Sequence, residues 1–147
     1  MNIAIVGATG NVGRKTLEVF DKKNFKFDNL YLVASEKSAG KKISFRDKEY
    51  VIENLETYDF SKADITFFAA GGKIAEKFAE KAAKHTIVID NSSFFRMDPD
   101  VPLIVPQVNA AEIKNMKKNI IANPNCSTAQ LVIALNHYII YSKLKEL

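Results

Sequence analysis

Apolar residues fall along this chain in two alternating textures: short unbroken runs, and longer segments with helical spacing. Ile3-Ala4-Ile5-Val6 is apolar without alternation, as expected of a strand buried on both faces of a parallel sheet. Across residues 14–20 the spacing turns helical and puts Val12, Thr16, Leu17 and Phe20 on one face. Leu30-Tyr31-Leu32-Val33-Ala34 reads as the second strand. The polar, basic stretch 35–48, which contains Gly40, predicts a loop or hairpin, and Tyr50-Val51-Ile52 a short edge strand. Ile65-Thr66-Phe67-Phe68-Ala69 is the next strong strand, closed by Gly71-Gly72 and followed by a helix spaced on Ile74, Phe78 and Ala82. Ile87-Val88-Ile89 is another buried-type strand, ending in Asp90-Asn91-Ser92-Ser93. Prolines exclude a helix over 99–106, while 109–116 offers Asn109 as an N-cap and a short helical period. Asn119-Ile120-Ile121-Ala122 reads as the last strand, and 127–141 as an apolar helix.

Short apolar strands alternating with helical segments predict an α/β fold, a Rossmann-like, doubly wound and mostly parallel sheet with helices on both faces. Ligands on such sheets bind at the carboxyl ends of the strands. Glycine supports that placement, because five of the six glycines (Gly7, Gly10, Gly13, Gly71, Gly72) lie directly after a predicted strand or in the turn it opens. The length of 147 residues fits one domain over 1–147. A formal charge of +4 is too mild to demand nucleic acid, and no basic stripe or set of stacking aromatics is present. The single cysteine excludes an internal disulfide, and no apolar run approaches the roughly 20 residues of a membrane helix. With no signal-peptide pattern at the start, the expected location is cytoplasmic. No metal site is expected.

Gly7-Ala8-Thr9-Gly10-Asn11-Val12-Gly13 follows a strand and opens a helix, the context in which a glycine pattern points to a dinucleotide. The G-x-x-G-x-x-G spacing is one residue wider than the usual fingerprint. Glycines permit a tight turn and close approach of a pyrophosphate, held by free N–H groups at the helix start. At the end of the second strand, Ser35-Glu36-Lys37-Ser38 offers both an acid for a ribose 2′-OH and a base for a 2′-phosphate. The surrounding Lys37, Lys41, Lys42, Arg46 and Lys48 tilt the local field toward NADP over NAD, unless these cations merely solvate a hairpin.

Asn123-Pro124-Asn125-Cys126-Ser127-Thr128 lies between a strand and an apolar helix, so Cys126 falls at or near a helix N-terminus. Free N–H groups and the positive end of the dipole favour the thiolate there. The alternative is an inert core thiol, the ordinary fate of a lone cytosolic cysteine. A thiolate beside a nicotinamide suggests attack on an aldehyde, hydride transfer from the thiohemiacetal and release of a thioester. That scheme needs a base, and neither histidine supplies one. His137 is about 16 Å along the helix from Cys126 at 1.5 Å per residue, and His85 sits at a helix-to-strand junction with no evident path to the site.

Taken in order, the glycine turn, Asp90-Asn91-Ser92-Ser93-Phe94-Phe95-Arg96, Val101-Pro102-Leu103-Ile104-Val105-Pro106 and the cysteine turn resemble the N-terminal part of the aspartate-semialdehyde dehydrogenase family. The resemblance implies NADPH-dependent conversion of aspartyl phosphate to aspartate semialdehyde, on the branch to diaminopimelate, lysine, methionine, threonine and isoleucine. It implies Cys126 as the acyl-accepting nucleophile, Asn125 as a neighbour that positions the substrate, and Arg96 as the phosphate ligand, whose donors match phosphate oxygens bidentately. For the cofactor it implies Gly10, Asn11 and Val12 at the pyrophosphate, with Gly7, Thr9 and Gly13 in the same cofactor-binding turn, and Ser35, Lys37 and Ser38 at the 2′-phosphate. Ala70, Gly71, Gly72 and Asn91 would lie nearer the adenosine and nicotinamide parts.

Two residues depart from the family pattern. Lys37 stands where arginine is common and lacks its planar fork, and Gln107 stands where glutamate is common. Family members are homo-oligomeric and run to more than twice this length. The general-base histidine, the arginine that grips the substrate carboxylate and most of the dimer interface lie in the part without a counterpart here. The expectation is a domain that ends just after the nucleophile-bearing helix, lacks the substrate and dimerisation domain, and binds NADP(H) without turnover. Three other readings stay open. A reductase of the N-acetyl-glutamyl-phosphate type would carry an aromatic residue and a proline after its cysteine, where Ser127-Thr128 stands. Glyceraldehyde-3-phosphate dehydrogenase would carry Ala-Ser before it, where Pro124-Asn125 stands. A non-catalytic NADP-binding module or relic would leave Cys126 inert.

Overall fold

The computed structural model describes residues 1–142; the predicted domain over 1–147 therefore runs five residues past them. Seven strands form one sheet: β1 (Asn2–Val6), β2 (Asn29–Ala34), β3 (Lys42–Phe45), β4 (Lys48–Asn54), β5 (Ile65–Phe68), β6 (Ile87–Asp90) and β7 (Ile120–Ala122). Their order is β3-β4-β2-β1-β5-β6-β7, and every pairing is parallel except β3 with β4. The helices are α1 (Asn11–Lys22), α2 (Gly72–Ala82), the single turn α3 (Pro106–Asn109) and α4 (Cys126–Ser142). The chain leaves β1 toward β2 on one side and returns to β5 on the other. The carboxyl ends of β1 and β5 therefore form the switch point where a ligand crevice is expected.

The strands alternate between two cores. Ile3 and Ile5 of β1, with Leu30, Leu32 and Ile52, pack under Leu17 and Phe20 of α1. Ala4 and Val6, with Val33, Phe68, Val88 and Ile120, face Ala75, Phe78, Ala79 and Ala82 of α2. Burial of both faces removes any need for polar alternation, which is why these strands read as unbroken apolar runs. The α1 side of β5 and β6 carries no helix among the described residues, and Phe67 and Ile89 line an open cleft there. Apolar residues of α4, among them Leu131 and Leu135, are also exposed.

Three expectations are corrected or refined. Tyr50-Val51-Ile52 is not an edge strand: β4 lies second from the edge, and the edge is β3, inside the stretch read as loop or hairpin. The hairpin turn is Arg46-Asp47, both with positive φ (49° and 60°), in place of the Asn-Gly type that announces such turns. Arg46 holds it by donating from Nη1 to the Phe25 carbonyl at 2.9 Å, from Nη2 to the Phe20 carbonyl and from Nε to Asp21 at 3.2 Å. Its guanidinium also lies over the Phe27 and Phe45 rings. Val12 shares a face with Thr16 and Phe20, but that face lines an open cleft and Val12 is half exposed; the buried residues of α1 are Gly13, Leu17 and Phe20. Asn109 stands at the N-cap position of a 3-10 helix (Ala110–Asn115), as expected, but makes no side-chain cap bond. Its Oδ1 accepts from the Val105 N–H at 2.8 Å and its Nδ2 donates to the Leu103 carbonyl at 2.9 Å, and a further helical turn precedes it from Pro106.

Candidate cofactor and thiol site

The glycine turn is built by contact. Gly7 has φ +85°, and a Cβ there would stand 2.8 Å from the Ala69 carbonyl carbon and oxygen. A Cβ on Gly13 would stand 2.4 Å from the Gly7 carbonyl oxygen, so the first turn of α1 rests directly on the end of β1. Gly10 is the N-cap at φ −77° and ψ 169°, and its N–H donates to the Gly7 carbonyl at 3.0 Å. No side chain caps α1, and its first turn holds no acidic residue. The opening N–H groups of α1 thus face outward with no internal anion to satisfy them, which suits a pyrophosphate.

Gly7, Thr9, Gly10, Ser35 and Ala70 line one cleft of about 360 Å³ at the ends of β1, β2 and β5. Asn11, Val12 and Asn91 line another, of about 560 Å³, on the α1 side of the sheet. A dinucleotide laid over the start of α1 fits this division, with its halves to either side of the turn. Lys37 and Ser38 lie beside the first cleft rather than in its lining, in a 3-10 turn (Glu36–Ser38) closed by the Ser38 N–H on the Ser35 carbonyl at 2.8 Å. Lys37 is exposed and makes no ion pair among the described residues. Gly71, with φ +85° and open space around its missing Cβ, caps α2, and Gly72 opens it.

Cys126 is exposed and is the first residue of α4, one position earlier than the predicted helix. Asn125 is the cap: its Oδ1 accepts from the Ser127 N–H at 2.9 Å and the Thr128 N–H at 3.5 Å. Its Nδ2 has no partner among the described residues, so its two hydrogens remain available to donate. Arg96 reaches the same turn, its Nε donating to the Asn123 carbonyl at 3.0 Å and its Nη2 to the Asn91 carbonyl at 3.1 Å. The predicted residues after β6 and β7 therefore meet, on the strand-end edge that also carries the glycine turn.

Two residues of this edge escaped the sequence reading. Asp90 is fully buried and shapes the turn that carries Asn91: its Oδ1 accepts from the Ser92 N–H at 3.0 Å and its Oδ2 from the Ser92 hydroxyl at 2.6 Å. An aspartate two residues before a serine is an Asx-turn signal, so Asp90 was findable. Asn123 donates from Nδ2 to Asn91 Oδ1 at 2.8 Å, a tertiary contact that no local pattern announces. Further out, Asp98 accepts from the Asp100 N–H and from Lys118, which hold its carboxyl below the usual carboxylate range. In the core under α2, burial pushes the Tyr58 phenol above its ordinary range, and its hydroxyl has no partner among the described residues.

Known proteins agree with this geometry. Residues 2–116 match the family described as semialdehyde dehydrogenase, NAD binding domain. An aspartate-semialdehyde dehydrogenase of Aquifex aeolicus is 54% identical over 136 residues, a match that covers 90% of this chain and 40% of the relative. A solved aspartate semialdehyde dehydrogenase II of Vibrio cholerae, complexed with ASA, is 47% identical at a TM-score of 0.89, covering 95% of this chain and 46% of that one. The Candida albicans aspartate semialdehyde dehydrogenase with NADP is 26% identical at a TM-score of 0.74, covering 95% and 47%. The chain spans less than half the length of these relatives. No described helix is long and apolar enough to cross a membrane. The family match runs through the glycine turn and the strand ends around it, so this chain belongs to the semialdehyde dehydrogenase family and carries its NAD-binding domain.

Proposed function

We propose that this chain is the NADP-binding, nucleophile-bearing part of an aspartate-semialdehyde dehydrogenase. The observation that carries the reading is the shared strand-end edge: the uncapped start of α1, the exposed Cys126 at the start of α4, and Arg96 anchored to the Asn123 carbonyl. The residues fit the cofactor, because the Gly7 and Gly13 contacts leave no room for a Cβ and bring bare backbone to the turn. Ser35, Lys37 and Ser38 would hold the 2′-phosphate, with Lys37 exposed and unpaired beside the first cleft among the described residues. NADPH would supply the hydride.

Within a complete enzyme, with its base supplied, this chain's own residues take the following roles. Arg96 binds the phosphoryl oxygens of aspartyl phosphate through the donors its backbone contacts leave free, and neutralises the leaving phosphate. Cys126 Sγ attacks the acyl carbon, forming an S–C bond as inorganic phosphate departs. Asn125 Nδ2 donates to the substrate while its Oδ1 holds the helix start in place. Breaking of the carbon–sulfur bond would then release aspartate semialdehyde and regenerate the Sγ thiolate of Cys126.

No histidine among the described residues is placed to act as base. His85 precedes β6, at the sheet edge opposite Cys126, and His137 lies eleven residues into α4. The 147-residue chain therefore binds NADP(H) without turnover, and the cytoplasmic, homo-oligomeric character of the family is carried over as part of the same proposal. Calorimetric titration with NADP⁺ and NAD⁺ in parallel tests the reading: saturable binding that prefers NADP⁺ is expected. Binding of neither, or a preference for NAD⁺, would overturn it. Phosphate-dependent reduction of NADP⁺ by aspartate semialdehyde with this chain alone would overturn the claim of inactivity.

A further inference from the structure

Arg96 is held by one edge of its guanidinium. Nε and Nη2, which share the side-on edge of the planar group, donate to the carbonyls of Asn123 and Asn91. The remaining N–H bonds, both on Nη1 and the second on Nη2, have no partner among the described residues and form an end-on fork suited to an anion. Aim therefore depends on how the two carbonyls are spaced. Each belongs to the first residue past a strand, and the β6–β7 register ends one residue earlier, at Asp90↔Ala122. The last main-chain bond of that ladder is from the Asn123 N–H to the Asp90 carbonyl, at 2.8 Å.

Beyond that point a side chain continues the pairing. Asn123 Nδ2 donates to Asn91 Oδ1 at 2.8 Å, and Asn91 Nδ2 donates to the Phe68 carbonyl at 3.3 Å, so the ends of β5, β6 and β7 are tied in series. We infer that Asn123 is a positioning residue: its amide bridge to Asn91 sets the spacing of the two carbonyls that aim Arg96 at the Cys126 turn. The inference deepens the proposed function and rests on its assignment of Arg96 and Cys126. An amide is required because Oδ1 of Asn91 must receive a hydrogen; alanine cannot bridge, and serine is too short.

Cys126 is the single cysteine, so alkylation of the 147-residue chain reads one site. Rates with iodoacetate and iodoacetamide are measured at low salt for the wild type, Arg96→Ala, Asn123→Ala and Asn123→Gln, with N-acetylcysteine as reference. A guanidinium beside the thiol raises the iodoacetate-to-iodoacetamide ratio by about two- to fivefold, the scale of one charge pair a few ångströms apart in water. Arg96→Ala removes that increment, and the helix dipole is common to both proteins. Asn123→Ala removes most of it with the iodoacetamide rate little changed, and Asn123→Gln, which keeps the donor, restores part. A merely structural loosening would move both reagents together and leave the ratio intact. Should Asn123→Ala not fold, Asn123→Ser gives the same reading. A ratio insensitive to Arg96→Ala would sink the assignment of Arg96, and the inference with it. A ratio that responds to Arg96→Ala but not to Asn123→Ala overturns the role of Asn123 alone.

Discussion

Alanine at Gly13 and alanine at Gly10 should separate folding from cofactor binding within one turn. At Gly13 the new Cβ would meet the Gly7 carbonyl oxygen at 2.4 Å and Ala8 Cα at 2.8 Å, against a practical floor of 3.0 Å, and both neighbours are backbone. Helix α1 must then lift off β1. Overpacking of this kind costs about 3 kcal/mol, at the upper end of its usual range, and at about 3 °C per kcal/mol for this size the melting temperature falls by about 10 °C. At Gly10 the backbone, φ −77° and ψ 169°, suits alanine, and the Cβ would meet only the Gly7 oxygen at 3.3 Å and the Ala69 oxygen at 4.0 Å. The loss there is that of a poorer N-cap, about 1 kcal/mol or about 3 °C. Its methyl nevertheless enters the cleft lined by Gly7, Thr9 and Gly10. Displacing one charge-assisted hydrogen bond to the pyrophosphate weakens NADP⁺ binding about ten- to hundredfold. Differential scanning fluorimetry and calorimetric titration read the two effects separately. Wild-type NADP⁺ affinity in Gly10→Ala would take the pyrophosphate off this turn. A Gly13→Ala protein melting within about 3 °C of the wild type would refute the close seating of α1.

Asp90→Ala strands the Ser92 N–H and hydroxyl in a buried turn and should cost about 2–3 kcal/mol in denaturant titrations; a loss below about 1 kcal/mol would show that the turn holds without it. Tyr58→Phe removes a buried hydroxyl that has no partner among the described residues, so it should be neutral or stabilising by about 1 kcal/mol; a clear loss of stability would mean that the hydroxyl is bonded. The Tyr58 phenol is raised in the folded state, so its contribution is complete below the ordinary phenol range near about 10 and is lost as pH rises beyond it. Wild type should therefore show a steeper alkaline fall in melting temperature than Tyr58→Phe. Asp98 is shifted the other way: its contribution is complete above the ordinary carboxylate range and is lost as pH falls below about 4. Asp98→Asn should flatten the acid limb of the melting curve, and superimposable limbs would count against the Asp100 and Lys118 contacts.

The doubly wound sheet was legible because both of its faces are buried where α1 and α2 cover it, and doubly buried strands write themselves as unbroken apolar runs. The β3–β4 hairpin was legible only as a loop or hairpin over 35–48, without its edge strand or the position of its turn. Its turn uses Arg46 and Asp47 in left-handed conformations, held by the Phe20 and Phe25 carbonyls more than twenty residues away in sequence. At Asn109 the position was legible and the bonding was not: it precedes a 3-10 helix, but its side chain turns back to the Leu103 carbonyl and the Val105 N–H in place of a cap bond. In the site, the glycine turn was readable because spaced glycines between a strand and a helix are a local pattern, although Gly7 answers a contact with the distant Ala69. Asn123 was not, because its partner stands thirty-two residues earlier.

The same distinction accounts for how the two halves of the site are built. On the β1 side, backbone stands bare because glycine removes side chains, and the free N–H groups at the start of α1 offer positive dipole ends. On the β6–β7 side, side chains are spent on holding one another: Asp90 on Ser92, Asn123 on Asn91, Arg96 on two carbonyls, Asn125 on its own helix. A cofactor that is bound and released throughout needs an open cradle and little else. A thiol that must meet an acyl carbon needs its neighbours fixed to within a fraction of an ångström. Commitment of the polar groups on the Cys126 edge to one another, while Asn125 Nδ2 and the end-on fork of Arg96 stay unpaired among the described residues, is what the proposed role of Cys126 as nucleophile requires.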